Sequence, residues 1–418
     1  MSQPYQYKGS ALHQEEVSLD LVARSVGTPT FVYSKARLIA RYRDLRKALA
    51  GLDVRINYSV KANSNLSILS LLKNEGAGFD IVSAGELSRV LTIGGDPKNV
   101  VFSGVGKSIE EIDYSLKNAI GCINVESTSE LNRIIDRSKL LNRRAPVSIR
   151  VNPNIDPNTH PYISTGLKEN KFGVSIDESF QLFSTAHKSE NIDIKGIDCH
   201  IGSQISDIAP LSEAVNSLCK VIDKLAQDGI VIDHINVGGG LGVTYKEEEA
   251  LSFIDYGNML KNNLKNRKIQ IFTEPGRSLV SDCGILLCRV EYLKKSAQSG
   301  APNFAIVDAG MNDLIRPALY DAWHDVLPVQ KEQNEQSNLW DIVGPICESG
   351  DFLAKQRALS IKEDSLLAIM ATGAYGMSLS SNYNSRGRPC EVLVDGADFK
   401  VIRKRETIND QIKLEKVD

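Results

Sequence analysis

The sequence has few of the features that mark secreted, metal-binding or membrane proteins. Its seven cysteines are an odd number, are scattered along 418 residues and include no C-x-x-C pair, so neither a disulfide framework nor a zinc site is indicated. The N-terminus has no apolar h-region, and no hydrophobic run approaches the roughly 18 residues that span a bilayer. We therefore expect a reduced, cytoplasmic protein with no membrane contact.

An excess of charge of one sign is also missing. Lys plus Arg number 49 and Asp plus Glu number 52, which gives a formal net charge of −3. Proteins that bind nucleic acid usually carry a basic excess that neutralises phosphates, so this balance argues against a nucleic-acid partner. The length, with 42% hydrophobic and 24% charged residues, predicts a globular chain of two or three domains.

A repeating pattern of strands and helices begins near residue 54. Short apolar runs rich in β-branched residues alternate with amphipathic segments, in which apolar positions recur at helical spacing. Such alternation implies a parallel sheet, and eight units over roughly 220 residues favour a (β/α)8 barrel over an open doubly wound sheet. The eight runs are 54–60, 79–83, 100–104, 122–125, 147–152, 196–202, 234–239 and 269–276.

After residue 277 the pattern changes to strands joined by polar loops, at 283–292, 303–308, 339–343, 365–371 and 389–395. The fold class we expect is α/β, with a (β/α)8 TIM-like barrel at 36–277 and a mostly β domain at 278–418. Residues 1–35 could join either domain, and we place them with the β-rich one. The polar segment 328–338 is expected to be a mobile loop.

Polar side chains follow the barrel strands at their carboxyl ends, where the reactive groups of such barrels stand. They include Lys61, Asp80, Arg150, His200, Ser203 and Glu274. Partial desolvation at a barrel mouth would favour the neutral, nucleophilic amine of Lys61 and suit a Schiff base. Taken alone, however, a lysine at a strand end is more often a surface lysine.

Two glycine-containing turns follow the last two strands. In Gly238–Gly242, backbone amides can approach an anion without obstruction by a Cβ, and this is the region where barrels commonly bind phosphate; Gly276-Arg277 forms a second such turn. Neither matches a P-loop. Glu274 could hold a ring nitrogen protonated or pair with Arg277, and His200 could stack on a cofactor or lie in the core. Together these groups predict a pyridoxal-phosphate enzyme.

Longer motifs resemble a known family. Segments 58–63, 78–86, 200–204, 238–242 and 274–277 are similar to the signatures of the alanine-racemase-fold (fold type III) pyridoxal-phosphate decarboxylases. Within that group, segments 307–320 and 344–351 are similar to the diaminopimelate decarboxylase family, and Ser59 stands where alanine is expected. The similarity runs from about Phe31 to Gly396 and thus covers nearly the whole chain.

This resemblance implies a function: pyridoxal-phosphate-dependent decarboxylation of meso-2,6-diaminopimelate to L-lysine and CO2, the last step of lysine biosynthesis. It also implies a homodimer with shared active sites, in which the β-rich domain contributes to the substrate site and the dimer interface. Cys347 lies on a segment that reaches the neighbouring subunit in this family.

The resemblance also implies a role for individual residues. Lys61 would bind pyridoxal 5'-phosphate covalently, His200 would stack on its ring, and Cys347 would protonate the carbanion; these three are the implied catalytic residues. The implied cofactor-binding residues are Lys61, Asp80, His200, Ser203, Gly239, Gly240, Glu274, Gly276, Arg277 and Tyr375. The implied substrate-binding residues are Arg277, Arg316, Tyr320, Glu348 and Tyr375.

Other interpretations stay open. A related decarboxylase acting on ornithine, lysine or arginine would prefer a carboxylate where this chain has Arg316, because those substrates have a cationic far end. A racemase of the same fold would need a second proton-transfer residue. A non-catalytic pyridoxal-phosphate-binding relative is disfavoured by the retention of Lys61 and Cys347. Free cysteine is often a small buried hydrophobe, but Glu348 and Asp351 beside Cys347 indicate otherwise.

Overall fold

A computed structural model describes residues 5–156, 165, 170–298, 301–331 and 337–417. The chain forms two compact units. The barrel unit comprises Tyr42–Val243 and Glu249–Ser278, and the β-rich unit comprises Met1–Arg41, Thr244–Glu248 and Leu279–Asp418. Among the described residues, no helix combines the length and the apolar character needed to cross a membrane.

The N-terminal segment forms short elements. Strands β1 to β3 make a small antiparallel sheet, whereas β4 belongs to the large sheet of the β-rich unit. The elements are β1 (Tyr5–Lys8), β2 (Ala11–Gln14), β3 (Val17–Ser18), α1 (Leu19–Val26), β4 (Thr30–Ser34) and α2 (Lys35–Ala48).

In the described part of the barrel unit, eight parallel strands close into a barrel, which confirms the predicted fold class. The strands are β5 (Val54–Ser59), β6 (Gly78–Ile81), β7 (Val100–Phe102), β8 (Cys122–Val125), β9 (Ala145–Arg150), β10 (Ile192–Asp198), β11 (His234–Asn236) and β12 (Gln270–Thr273). Most end before the predicted runs do: β10 ends at Asp198 rather than at residue 202. The chain therefore leaves the ladder before the polar residues that follow each strand.

The barrel helices begin at a repeated local signal. Ser83, Ser108, Ser127 and Ser175 each accept a hydrogen bond from the N–H of the glutamate three residues later, at 3.2 Å. At Ser108 the side chain of Glu111 also accepts from the N–H of Ser108, completing a capping box. The helices are α3 (Leu66–Asn74), α4 (Ala84–Thr92), α5 (Ile109–Lys117), α6 (Thr128–Leu140), α7 (Ile176–His187), α8 (Ile208–Gln227) and α9 (Phe253–Leu264).

The β-rich unit is built on a sheet in which β4 lies between β13 and β19. Its core includes Leu12, Val32, Leu287, Ala368 and Val392, all buried. The strands are β13 (Gly284–Lys294), β14 (Asn303–Val307), β15 (Val326–Pro328), β16 (Asn338–Val343), β17 (Phe352–Leu359), β18 (Leu366–Ile369), β19 (Cys390–Asp395) and β20 (Asp398–Arg403), with helices α10 (Arg277–Val280), α11 (Arg316–Tyr320) and α12 (Ile408–Ile412).

Among the strands after residue 277, three were not predicted, β15, β17 and β20, and the predicted loop at 328–338 is partly wrong. Pro328 ends β15 and Asn338 begins β16. Val329 is buried; its carbonyl oxygen accepts from the Leu12 N–H and its own N–H donates to the Leu366 carbonyl oxygen, both at 2.8 Å. The polar neighbours of Val329 obscure its place in the core. Residues 332–336 lie outside the described residues.

Candidate active site

The Lys61 amine lies at the rim of the barrel, above a buried carboxylate. Lys61 sits in a single 3-10 turn directly after β5, and its Nζ is 3.3 Å from Oδ2 of Asp80 on the neighbouring strand β6. The Asp80 side chain is fully buried, whereas that of Lys61 is 37% exposed. The Ser59 hydroxyl lies 2.8 Å from the same carboxylate oxygen. An amine held this way is open to a reagent that enters from the barrel mouth.

Further buried acids lie near that carboxylate. Glu274, directly after β12, accepts a hydrogen bond from Nδ2 of Asn236 at Oε1, at 2.5 Å. Burial, reinforced by the charges of Asp80 and Asp198, raises the pKa of Glu274 well above its usual range. Burial likewise raises the pKa of Asp198 to about 7, against the opposing effect of Arg150. Glu274 therefore favours the protonated form, and Oε2 is the oxygen left to carry the proton.

His200 is held in one tautomer by the glycine loop. The backbone N–H of Gly239 donates to its Nδ1 at 3.2 Å, which assigns the ring proton to Nε2. Burial, followed by the positive charges of Lys61 and Arg150, lowers the pKa of His200 well below its usual value. The imidazole is therefore neutral at pH 7 and offers a flat face to an aromatic ligand.

The glycine loop after β11 packs against the loops after β10 and β12. A Cβ on Gly239 would lie 2.0 Å from the carbonyl oxygen of Glu274, and one on Gly240, where φ is +95°, would lie 2.2 Å from that of Gly202. Only glycine permits these approaches. Arg277 Nη2 donates to the Ser203 hydroxyl at 3.2 Å. The same end of the barrel thus offers a guanidinium, a hydroxyl and a Cβ-free backbone, a donor set suited to a phosphate.

In the β-rich unit, Arg316 and Tyr320 lie one turn apart on α11. Arg316 is buried, with 5% of its surface exposed, and its Nη1 is 2.8 Å from Nε2 of His324. Tyr375 lies in the loop after β18 with φ of +57°, a left-handed conformation that non-glycine residues rarely adopt.

Cys347 and Glu348 lie on an exposed turn between β16 and β17. Of the seven cysteines, all of which the structure describes, Cys347 is the exposed one, which argues against a packing role. Its N–H donates to Oδ1 of Asn384 at 2.8 Å, and the Tyr383 hydroxyl donates to Glu348 at 3.2 Å. The Asp351 carboxylate accepts two backbone N–H groups at 2.6 and 2.8 Å. Side chains around the turn thus hold it in place.

Sequence reasoning missed several supporting residues. Asn236 carries a signal, because it is a polar residue inside the apolar run of β11. His324 carries none, because α11 ends at Tyr320, before it, and Asn384 carries none, because it lies 37 residues from Cys347 along the chain.

The barrel residues fit pyridoxal phosphate. They provide an exposed amine, a protonated buried carboxyl group, a neutral imidazole and a phosphate-type donor set. In the described part of the chain, Oδ1 of Asp80 and Oδ1 of Asp198 are buried and have no hydrogen-bond partner. Buried polar atoms of this kind are typical of a site that a polar ligand completes.

Residues 35–281 match the family model described as pyridoxal-dependent decarboxylase, pyridoxal binding domain. The barrel thus belongs to that class. The chain is 50% identical over 406 residues to diaminopimelate decarboxylase of Pseudomonas aeruginosa, covering 97% of each chain. These matches show that the chain belongs to the diaminopimelate decarboxylase family of pyridoxal-dependent decarboxylases.

Solved structures agree. Diaminopimelate decarboxylase of Helicobacter pylori, complexed with L-lysine, superposes with a TM-score of 0.91 at 42% identity, covering 95% of this chain and 98% of that one. The M. jannaschii enzyme, in co-complex with L-lysine, gives 0.93 at 35% identity, covering 99% and 98%. The family, the pyridoxal cofactor and the fold class are thereby confirmed, while the roles of individual residues stay predictions.

Proposed function

We propose that this chain decarboxylates meso-2,6-diaminopimelate to L-lysine and CO2 with pyridoxal 5'-phosphate. The observation that carries the proposal is the 50% identity to a diaminopimelate decarboxylase across both units of the chain. Because the substrate is meso and the product is L-lysine, the reaction removes the carboxylate of the D end. The L end, with its own carboxylate and ammonium, stays intact.

The chemistry supplied by pyridoxal phosphate, when bound, is an aldehyde that condenses with amines and an aromatic ring that withdraws electrons from the substrate Cα. Lys61, held at the barrel rim beside Asp80, would bond to the aldehyde. Ser203, Arg277, Gly276 and the Gly239-Gly240 backbone would bind the phosphate. This arrangement fixes the phosphate and aldehyde ends at separate strand ends.

Glu274 and His200 would act on the ring. Glu274 would face the ring nitrogen and hold it protonated, because a protonated pyridine is the counter-charge that a carboxylate buried at this position lacks. His200 would stack on the ring as a neutral imidazole and so add no charge that competes with that proton. Asp80 supports the arrangement through its contacts with Lys61 and Ser59.

Arg316, Tyr320, Arg277, Glu348 and Tyr375 would bind the L end of the substrate. A buried guanidinium matches a carboxylate in charge and in bidentate geometry, whereas Glu348 matches an ammonium. Ornithine and lysine, reacting at their own Cα, present only an amine at the far end. Binding them would leave the Arg316 charge uncompensated by a substrate carboxylate, so they should be poor substrates.

Cys347 would deliver the proton that replaces the departing carboxylate. Its exposed turn also supports the second part of the proposal, a homodimer in the cytoplasm in which Cys347 and Glu348 serve the active site of the other subunit. A thiol on an exposed turn is accessible to a second copy of the chain.

Carbon dioxide release from meso-diaminopimelate, lysine, ornithine and arginine tests the reaction. We expect kcat/KM for diaminopimelate to exceed the others by roughly 10³-fold or more. Equal turnover of ornithine or lysine would replace this proposal with a decarboxylase of simpler basic amino acids. Bound cofactor without any CO2 release would favour a non-catalytic relative.

Mixing two inactive variants tests the shared site. Lys61→Ala and Cys347→Ala, denatured and refolded together, should recover about a quarter of wild-type turnover. About half of the dimers that form at random contain one copy of each variant, and two-fold symmetry gives each of these mixed dimers one complete site out of two. Each variant refolded alone is the control. No recovery in verified mixed dimers would show that both residues act within one chain.

A further inference from the structure

His324 is completely buried, and both of its ring nitrogens are hydrogen-bonded. Arg316 Nη1 lies 2.8 Å from Nε2, and the carbonyl oxygen of Met370 lies 2.7 Å from Nδ1. A guanidinium has donors only, so Nε2 must accept, and Nδ1 must carry the proton that it donates to Met370. The imidazole is therefore a neutral acceptor, fixed in one tautomer, that contacts the Arg316 side chain directly.

A second side chain packs against the same pair. The Arg316 guanidinium carbon lies 4.4 Å from the centre of the Tyr245 ring, within the range of a cation–π contact. The Tyr245 ring also meets the His324 ring edge to face, with centroids 5.3 Å apart and planes at 72°. The guanidinium is thus held at its edge by a hydrogen bond and at its face by an aromatic ring.

The backbone around His324 is anchored as well. Arg357 Nη2 donates to the carbonyl oxygen of His324 at 2.8 Å, and its guanidinium stacks on the Trp323 ring at 3.2 Å. These contacts anchor the His324 backbone in addition to the hydrogen bond that its side chain makes with Arg316. A five-residue helix such as α11 would otherwise give little support to a long arginine side chain.

We propose that His324 and Tyr245 are positioning residues that orient the Arg316 guanidinium for the carboxylate at the L end of the substrate. The inference rests on the proposed function, in which Arg316 binds that carboxylate. A carboxylate in place of His324 would orient Arg316 equally well but would cancel its charge. A neutral imidazole orients the guanidinium and leaves its charge for the ligand, and pre-orientation lowers the entropy lost on binding.

Two inhibitors that differ by a single group test this. L-Lysine retains the carboxylate of the L end, whereas 1,5-diaminopentane is the same diamine without it. In the wild-type holoenzyme, L-lysine should therefore have the lower inhibition constant. His324→Leu should raise the constant for L-lysine, and KM for diaminopimelate, by about tenfold, the scale of one hydrogen bond to a charged group. The constant for 1,5-diaminopentane and kcat should change much less.

A pair of amides separates the two hydrogen bonds of His324 and remains informative if the leucine variant does not fold. Glutamine reaches the Nε2 position and can accept from Arg316, whereas asparagine reaches only the Nδ1 position and can donate to Met370. We expect His324→Gln to stay within about threefold of wild type in its preference for L-lysine, and His324→Asn to lose about tenfold. His234→Leu, which removes another buried histidine, should leave the preference unchanged.

The outcomes are distinguishable. An unchanged preference in His324→Asn, or a loss in His324→Gln but not in His324→Asn, would overturn the inference, because the contact with Arg316 would then not matter. If the wild-type enzyme itself binds L-lysine no better than 1,5-diaminopentane, Arg316 does not bind the carboxylate of the L end. The proposed function, rather than the role of His324, would then be wrong.

Discussion

The two units hold their candidate residues in different ways. In the barrel unit, Lys61, Asp80 and Glu274 stand on or directly after strands, and neighbouring strands fix their separations through backbone hydrogen bonds. In the β-rich unit, Arg316 lies on a five-residue helix and Cys347 on an exposed turn, and side-chain contacts hold both. The barrel residues thus depend on the fold itself, whereas the others depend on a few specific partners.

The electrostatics differ as well. The barrel end buries several carboxyl groups close together, and burial raises the pKa of Glu274 and Asp198. The β-rich unit presents a buried cation at Arg316 and an exposed carboxylate at Glu348. We propose a division of work, in which the barrel would set the protonation states that the cofactor needs and the loops of the β-rich unit would select the substrate.

The largest effect should follow from removing the barrel amine. Lys61→Ala is expected to cut turnover by roughly 10³-fold or more, because the cofactor then lacks its covalent anchor. Borohydride reduction followed by peptide mapping should label Lys61 in the wild-type protein and nothing at that position in the variant. Lys98→Ala, at an exposed lysine, is the control and should keep both label and activity. A label on another lysine of the wild-type protein would show that the site model is wrong.

Arg316→Met should have the next largest effect, and it should be selective. It removes the cation for the substrate carboxylate but leaves the barrel residues in place, so kcat/KM for diaminopimelate should fall by roughly 10³-fold while cofactor absorbance stays normal. The preference over lysine and ornithine should disappear with it. Arg289→Met, at a partly buried arginine on β13, is the matched control. Loss of bound cofactor in Arg316→Met would contradict the assignment of cofactor binding to the barrel and of substrate selection to the β-rich unit.

Cys347→Ala should reduce kcat by about 10²-fold, the usual scale for a positioned acid, without changing folding or cofactor absorbance. Ser349→Ala, two residues along the same exposed turn, should remain near wild type. Steady-state CO2 release measures both. Unchanged turnover of Cys347→Ala would leave the exposed thiol without a catalytic role.

The smallest effect concerns stability and pH. The pKa of Asp198 is about 7 in the folded chain and near 4 when unfolded, so between these values the folded state binds a proton that the unfolded state has lost. This stabilisation is fully present below about pH 4 and is lost as the pH rises through 7. Asp198→Asn cannot titrate, so its free energy of unfolding relative to wild type should rise by roughly 1–3 kcal/mol from pH 4 to pH 8.

Urea unfolding of the cofactor-free protein measures that difference. Asp113→Asn is the opposite control, because Arg137 holds the pKa of Asp113 below its usual value. That pair stabilises the wild type above the unfolded pKa, and the stabilisation is lost as the pH falls through the lower, folded pKa. A difference between wild type and Asp198→Asn that does not change with pH would contradict the carboxyl cluster described for the barrel.

The barrel was predictable from the sequence because its signal repeats. Eight buried strands alternate with helices, four of which begin at a Ser-x-x-Glu cap, so the same pattern recurs along the chain. The polar residues at the strand ends then lie together because the strands are parallel.

In the β-rich unit, β17 was missed because Lys355-Gln356-Arg357 interrupts its apolar pattern and Gln356 has a φ of +54°. β20 was missed because none of its six residues is buried. The contacts of Tyr245 with Arg316 and His324 join segments about 75 residues apart, which no local pattern encodes.

The position of β4 has a consequence for the order in which the chain acquires structure during synthesis. Thr30 pairs with Cys390 on β19, about 360 residues later, and at 5–20 residues per second a ribosome needs roughly 20–70 s to make the intervening chain. The barrel strands all precede residue 279, so the barrel can close before β13 and β19, the two strands that flank β4, have been synthesised. Until then Phe31, Val32 and Tyr33 of β4 have no strand on either side. An apolar strand without neighbours invites wrong pairing. Nascent chains stalled after residue 278 should therefore be more prone to aggregation than the finished protein.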